Sequence, residues 1–200
     1  MKLGPVIAVL GLAACMPSAP TDDAANRAAE VIMPELGLDS PPLMGRISGT
    51  LAAKRVAWET FDFSVGAYDA SASVRFVDGR QTLQLFGYAP GNAKSQSGNV
   101  LISGNITGLR KPGPLQNVRV QIPLSTDLDG PGLSSVGQTA VLMIDKIDAP
   151  TQDESGYGHA AGRVTAQLCP VAGATGGCQT FTVAFDTQVQ FDSTQTFSAR

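Results

Sequence analysis

The chain has 200 residues, only 16% of them charged, and a formal net charge of -3. It contains no run of basic residues, so neither a nucleic acid nor an anionic lipid surface finds a clustered positive stretch to bind. With 22 Gly, 13 Pro and many Thr, Ser, Val and Gln, the composition is that of an all-β exported domain with frequent turns, and the length fits one domain or at most a domain plus a tail.

The amino end is arranged around Cys15. A single cation, Lys2, precedes an uncharged run from Leu3 to Ala14. That run has the length of a secretion signal and is too short to cross a hydrocarbon core of about 30 Å as a helix. An ordinary cut after Ala19 would put Pro17 at the third position before it and Pro20 just beyond, which makes a poor cleavage site. Leu12-Ala13-Ala14-Cys15 instead resembles the lipobox of bacterial lipoproteins: an aliphatic residue, two small residues, then the cysteine that becomes residue one. The resemblance implies removal of residues 1–14 as a signal peptide, a diacylglycerol thioether on Cys15 and a third acyl chain, such as palmitate, on the new amine. Each buried methylene contributes about 0.8 kcal/mol, so two or three chains make the attachment effectively permanent. Met16 stands where an aspartate in that family marks inner-membrane retention. The resemblance therefore points to the outer membrane, with the domain in the periplasm, and it covers only the first fifteen residues.

Residues 15–45 read as a lipidated tether punctuated by Pro17, Pro20, Pro34, Pro41 and Pro42. Within it only Thr21 to Ile32 looks helical: Thr21 caps, Asp22 and Asp23 suit the positive end of the dipole, and Pro34 stops it. About three turns with little apolar surface are expected to fray rather than dock.

From Arg46 the period becomes two, and residues 46–200 are expected to form the folded domain. A first strand is placed over Ile47 to Ala53. A second begins near Val56 and Trp58 and alternates Phe61, Phe63, Val65 and Ala67 with polar or small residues. Val74 and Phe76 lead into Asp78-Gly79, a hairpin signal, and Leu83 and Leu85 resume the pattern. Further strands are expected around Val100 and Ile102, Val118 to Ile122, and Val141 to Ile147.

The clearest alternation lies at the carboxyl end. Phe181, Val183, Phe185, Thr187, Val189 and Phe191 share one face of a long strand, and its expected partner runs from Tyr157 to Leu168. Cys169 and Cys178 fall at the mouth of that hairpin. With Cys15 committed to lipid they are the remaining two cysteines, and in an exported chain they are expected to be disulfide-bonded. Eight or nine short strands with regular turns and no internal repeat predict an antiparallel β-sandwich, with a small β-barrel as the alternative.

The search for chemistry mostly excludes. His159 is the one histidine, so one chain cannot build a multi-histidine zinc site, and no Gly-x-Ser-x-Gly elbow accompanies it; it reads as a surface residue. Asp127-Leu128-Asp129-Gly130 resembles the start of a calcium loop, but Pro131, Gly132, Leu133, Ser134 and Ser135 follow where acidic ligands should stand, and a turn accounts for Asp127 and Asp129. Asp145 and Asp148 could serve a glycan hydrolase only if the fold spaced them suitably. No catalytic residue, metal or cofactor is assigned.

Trp58, Tyr68, Tyr88 and Tyr157 lie near strand ends, where flat rings can stack on a sugar or anchor a protein. Tyr88 and Tyr157 are the better binding candidates, since a lone Trp58 in an amphipathic strand more often fills a core. The favoured expectation is a non-enzymatic, lipid-anchored domain that binds an envelope protein or a glycan, or has a structural role. A periplasmic carrier or chaperone for an apolar ligand and a carboxylate-dependent glycan hydrolase are the alternatives.

Overall fold

The computed structural model describes residues 41–63, 70–77, 79–91, 98–107, 110–126, 130–151 and 154–193. The tether, its expected helix and Cys15 lie outside these residues, as do Val65, Ala67, Tyr68, Asp127 and Asp129. All regular structure described is strand, as the composition led one to expect. In chain order the strands are β1 (Leu43–Leu51), β2 (Lys54–Phe61), β3 (Ala72–Val77), β4 (Arg80–Gly87), β5 (Val100–Asn105), β6 (Gly113–Pro114), β7 (Gln116–Pro123), β8 (Gly132–Ser134), β9 (Ala140–Asp148), β10 (Gly156–Val171) and β11 (Gln179–Phe191). The count exceeds the eight or nine expected because β6 and β8, two and three residues long, are too short to show a period. β1 also takes in Leu43, Met44 and Gly45, which the prolines had assigned to the tether.

The strands make two layers. One has the order β2-β1-β11-β10-β9-β6 and the other β3-β4-β5-β7. Two short ladders join them into a single mixed sheet. At one corner Gln190 and Phe191 of β11 pair in parallel with Ser73 and Val74 of β3. At the other, β8 pairs with β7 on one side and with Cys169 to Val171 of β10 on the other. The sheet thereby closes on itself through β11-β3-β4-β5-β7-β8-β10, an all-β fold of sandwich or barrel-like form, which explains why the two patterns are hard to separate in the sequence.

Period-two alternation places the core between the layers. Ile47, Leu83, Leu85, Ile102, Val120, Leu142, Val164, Leu168, Phe181 and Phe191 are fully buried. Each such side chain contributes roughly 1.5–3 kcal/mol of burial free energy. The six-stranded layer needs glycine at several close approaches, Gly162 and Gly45 among them. A Cβ on Gly162 would lie 2.2 Å from the Met143 carbonyl oxygen and 2.8 Å from the Phe185 ring. A Cβ on Gly45 would lie 2.4 Å from Thr187 Cα. The gap at Gly45 is used: Thr60 on β2 and Thr187 on β11 reach across it to within 2.7 Å, and both are buried. Thr187 donates its proton to the Gln188 carbonyl at 2.8 Å, so Thr60 is the donor of the pair.

Candidate functional site

Cys169 and Cys178 come to disulfide distance, with Sγ–Sγ at 1.98 Å. They extend the thirteen-pair ladder of β10 and β11 by one rung beyond Leu168 and Gln179. The chain then reverses through Ala172 and Gly173, both at positive φ, with the Ala174 amide donating to the Val171 carbonyl at 3.1 Å. Closing a loop of nine residues' separation restricts the unfolded chain by about 2.5 kcal/mol in the chain-entropy model.

The aromatic candidates separate into different surroundings. Trp58 is 5% exposed, packs on Phe181 with ring centroids 6.0 Å apart, and donates from Nε1 to the Gly98 carbonyl at 2.7 Å. It is therefore a core residue and cannot stack on a ligand from this position. Tyr88 belongs to a ring cluster with Phe61, Phe63 and Phe86, at 5.9, 5.4 and 4.8 Å, and its backbone bridges Glu59 across the two layers. Burial pushes its phenol above the ordinary tyrosine value. Tyr157 is 49% exposed on the outward face of β10, beside Gln190 of β11.

On that same outward face the register gathers the polar candidates. His159 Nε2 lies 2.7 Å from Asp186 Oδ1, and Asp148 stands opposite His159 on β9. Arg163 pairs with Asp145 at 3.3 Å, and Arg46 with Glu59 at 3.8 Å. All are surface pairs, worth little to stability. The imidazole meets a carboxylate rather than a hydroxyl, and Asp145 is occupied by a guanidinium on an open face. Neither arrangement makes an acid–base pair around a cleft. Among the described residues no group of three His, Cys, Asp or Glu side chains is placed to hold a metal ion.

Arg110, in the connection from β5 to β6, escaped the sequence reading. It donates to the carbonyls of Pro150 at 3.1 Å, Thr151 at 3.2 Å and Asp192 at 2.5 Å, and its guanidinium lies 4.9 Å from the centre of the Phe191 ring. Burial lowers its pKa, with the Asp192 carboxylate opposing that shift. No local pattern could have flagged it, because every partner is at least forty residues away.

Hollows open on the surface of the described residues. One of about 370 Å³ is lined by Ile106, Thr107, Lys111 and Pro112 to Leu115. Another, about 80 Å³, lies where Phe86, Leu101 and Val171 meet β7 and β8. The chain matches no family model, no curated protein and no solved structure.

Proposed function

We propose that the protein is a lipid-anchored envelope lipoprotein of the bacterial outer membrane, whose β-sandwich has a binding or structural role in the periplasm and performs no catalysis. The observation that carries this reading is Leu12-Ala13-Ala14-Cys15 placed directly after an uncharged apolar run. Pairing of Cys169 with Cys178 supports it, since of three cysteines Cys15 alone is then left for another chemistry. The interior filled by Leu85, Ile102, Phe181 and their neighbours favours a rigid domain over a carrier with an apolar cavity. The outward face bearing Tyr157, His159, Gln188 and Asp186 is where a glycan or an envelope protein would be met.

The test is intact mass spectrometry of protein extracted from membranes of a bacterial host, compared with Cys15→Ser. The expected parent species begins at Cys15 and carries the mass of a diacylglyceryl group, with or without a further acyl chain. The variant is expected to retain residues 1–14. Parent protein with an unmodified Cys15 would overturn the reading.

A further inference from the structure

At one end of the interior the apolar filling gives way to a polar group. Gln81, Leu83 and Leu85 alternate along β4 and share its inward face. The two leucines are fully buried, and Gln81 is 7% exposed. Its backbone is engaged, since the Gln81 carbonyl accepts a hydrogen bond from the Ile106 amide at 2.8 Å. Its side chain is not: among the described residues neither Oε1 nor Nε2 has a hydrogen-bond partner, although both atoms are shielded from solvent. Phe76, opposite Gln81 on β3, is 44% exposed, so this row is where the interior meets its mouth. An amide buried with both ends empty is costly, and a leucine would fill the same place without that cost.

The hollow of about 370 Å³ opens at the same end, and its volume is within the range of small-molecule sites. Ile106, bonded through its amide to Gln81, forms part of the wall. Leu115 forms another part, and its side chain stands 3.0 Å from where a Cβ on Gly104 would lie, in the register row of Leu83. Thr107 and Lys111 bring a hydroxyl and an ammonium group, and no carboxylate is among the described residues that line the hollow. Arg110, next in the chain to Lys111, adds a buried Nε without a partner, its guanidinium 4.9 Å from the centre of the Phe191 ring. Phe191 pairs with Val74 and Val74 with Leu83, which places that ring one row inward of Gln81.

The empty amide defines the chemistry that would fill it. Oε1 needs a donor and Nε2 an acceptor, side by side in one plane. A lactam or a primary carboxamide offers N–H and C=O on one edge and pairs with both. A trans secondary amide carries them on opposite edges, and a carboxylate has no proton to give. We propose that the hollow beside Ile106 binds a small molecule through a lactam or primary carboxamide edge read by Gln81, with an acidic group toward Lys111. The site is separate from the outward face of β10 and β11 and does not depend on the lipid anchor.

The full chain carrying Cys15→Ser is titrated with pyroglutamate, with N-methyl pyroglutamate and with 2-pyrrolidinone, and the Nε2 resonances of Gln81 are followed by NMR. Pyroglutamate should give a saturable shift there and at the Thr107 and Lys111 amides, with a dissociation constant on the order of a millimolar for so small a probe. The N-methyl analogue lacks the donor and should bind at least about tenfold more weakly. Pyroglutamate should also bind more tightly than neutral 2-pyrrolidinone, and Lys111→Gln should narrow that gap about threefold. Gln81→Leu should fold, as thermal unfolding would show, and lose the binding seen at Thr107 and Lys111. Should that variant not fold, the comparison of pyroglutamate with its N-methyl analogue on the parent decides. Equal affinity for those two probes, binding retained in Gln81→Leu, a gap that Lys111→Gln leaves unchanged, or a Gln81 amide that contacts only water at every probe concentration would overturn the proposal. Because Cys15 is absent throughout, such a failure is separate from a failure of the lipid anchor.

Discussion

The two layers of the sandwich are built by different means. The six-stranded layer is continuous: β10 and β11 share thirteen pairs, the hairpin is joined at Cys169 and Cys178, and β1 and β9 flank it with long ladders of their own. The four-stranded layer meets it through ladders of two residues at β11–β3 and three at each side of β8. Long backbone ladders therefore organise each layer, while short ladders, the Glu59–Tyr88 bridge and the shared apolar interior join the layers. The edge strand β2 begins with Lys54 and Arg55, and charges of this kind discourage a second chain from adding a strand.

The harshest way to break the continuous layer is Gly162→Ala. The added methyl meets backbone, the Met143 carbonyl oxygen at 2.2 Å, together with the Phe185 ring, and neither neighbour can swing aside as a flexible side chain could. Overpacking of this kind is expected to cost about 3 kcal/mol, seen as a fall of about 10 °C in the midpoint of thermal unfolding. A shift of less than about 2 °C would mean that β9 and β10 separate easily and that the layer is not the rigid half.

The weakly joined corner is probed by Arg110→Gln. Arg110 ties the β5–β6 connection to Pro150, Thr151 and Asp192, next to the two-residue β11–β3 ladder. Losing charged hydrogen bonds and the contact with the Phe191 ring should cost about 2 kcal/mol. Hydrogen exchange locates the effect. The Asp192 amide, which donates to the Val74 carbonyl at 2.9 Å, should exchange faster in the variant, while amides of the Ile47–Phe185 ladder keep their protection. Uniform loss of protection would mean that the corner and the layers open as one unit.

Legibility followed the same division. The faces of β10 and β11 were readable because thirteen and more residues keep one period and the partners are neighbours in sequence. The role of Trp58 was half readable, since an amphipathic strand indicates a buried ring but not its hydrogen bond to Gly98, forty residues away. Arg110, the Thr60–Thr187 pair, β6 and β8 could not be read. Each depends on which strand lies beside which, and two or three residues carry no periodicity. Tyr157 and His159 were recognised as residue types suited to a surface, but only the register shows that Asp186 is the partner of His159.

The smallest effect expected is a gain, and it concerns the turn where the continuous layer folds back at its other long hairpin. Leu51 pairs with Lys54, so Ala52 and Ala53 form a two-residue loop, with φ of 48° and 64°. A turn with both central residues at positive φ matches the twist of the strands it joins, and for that geometry Asn-Gly is the usual pair. Alanine pays for it, because its Cβ crowds the backbone in the left-handed region by roughly 1 kcal/mol. The surroundings hold the strained form: the Ala52 amide donates to the Thr180 carbonyl of β11 at 2.9 Å, which fixes the loop to the neighbouring strand. Ala53→Gly removes the crowding without touching that bond, although glycine's looser unfolded chain takes back part of the gain. A net stabilisation of about 0.5 kcal/mol is expected, a rise of one or two degrees in the unfolding midpoint. Ala52→Gly should behave similarly if relief of crowding is the cause. If both glycine variants lower the midpoint, the unfolded-chain entropy outweighs the strain, and the turn is held by its alanines rather than in spite of them.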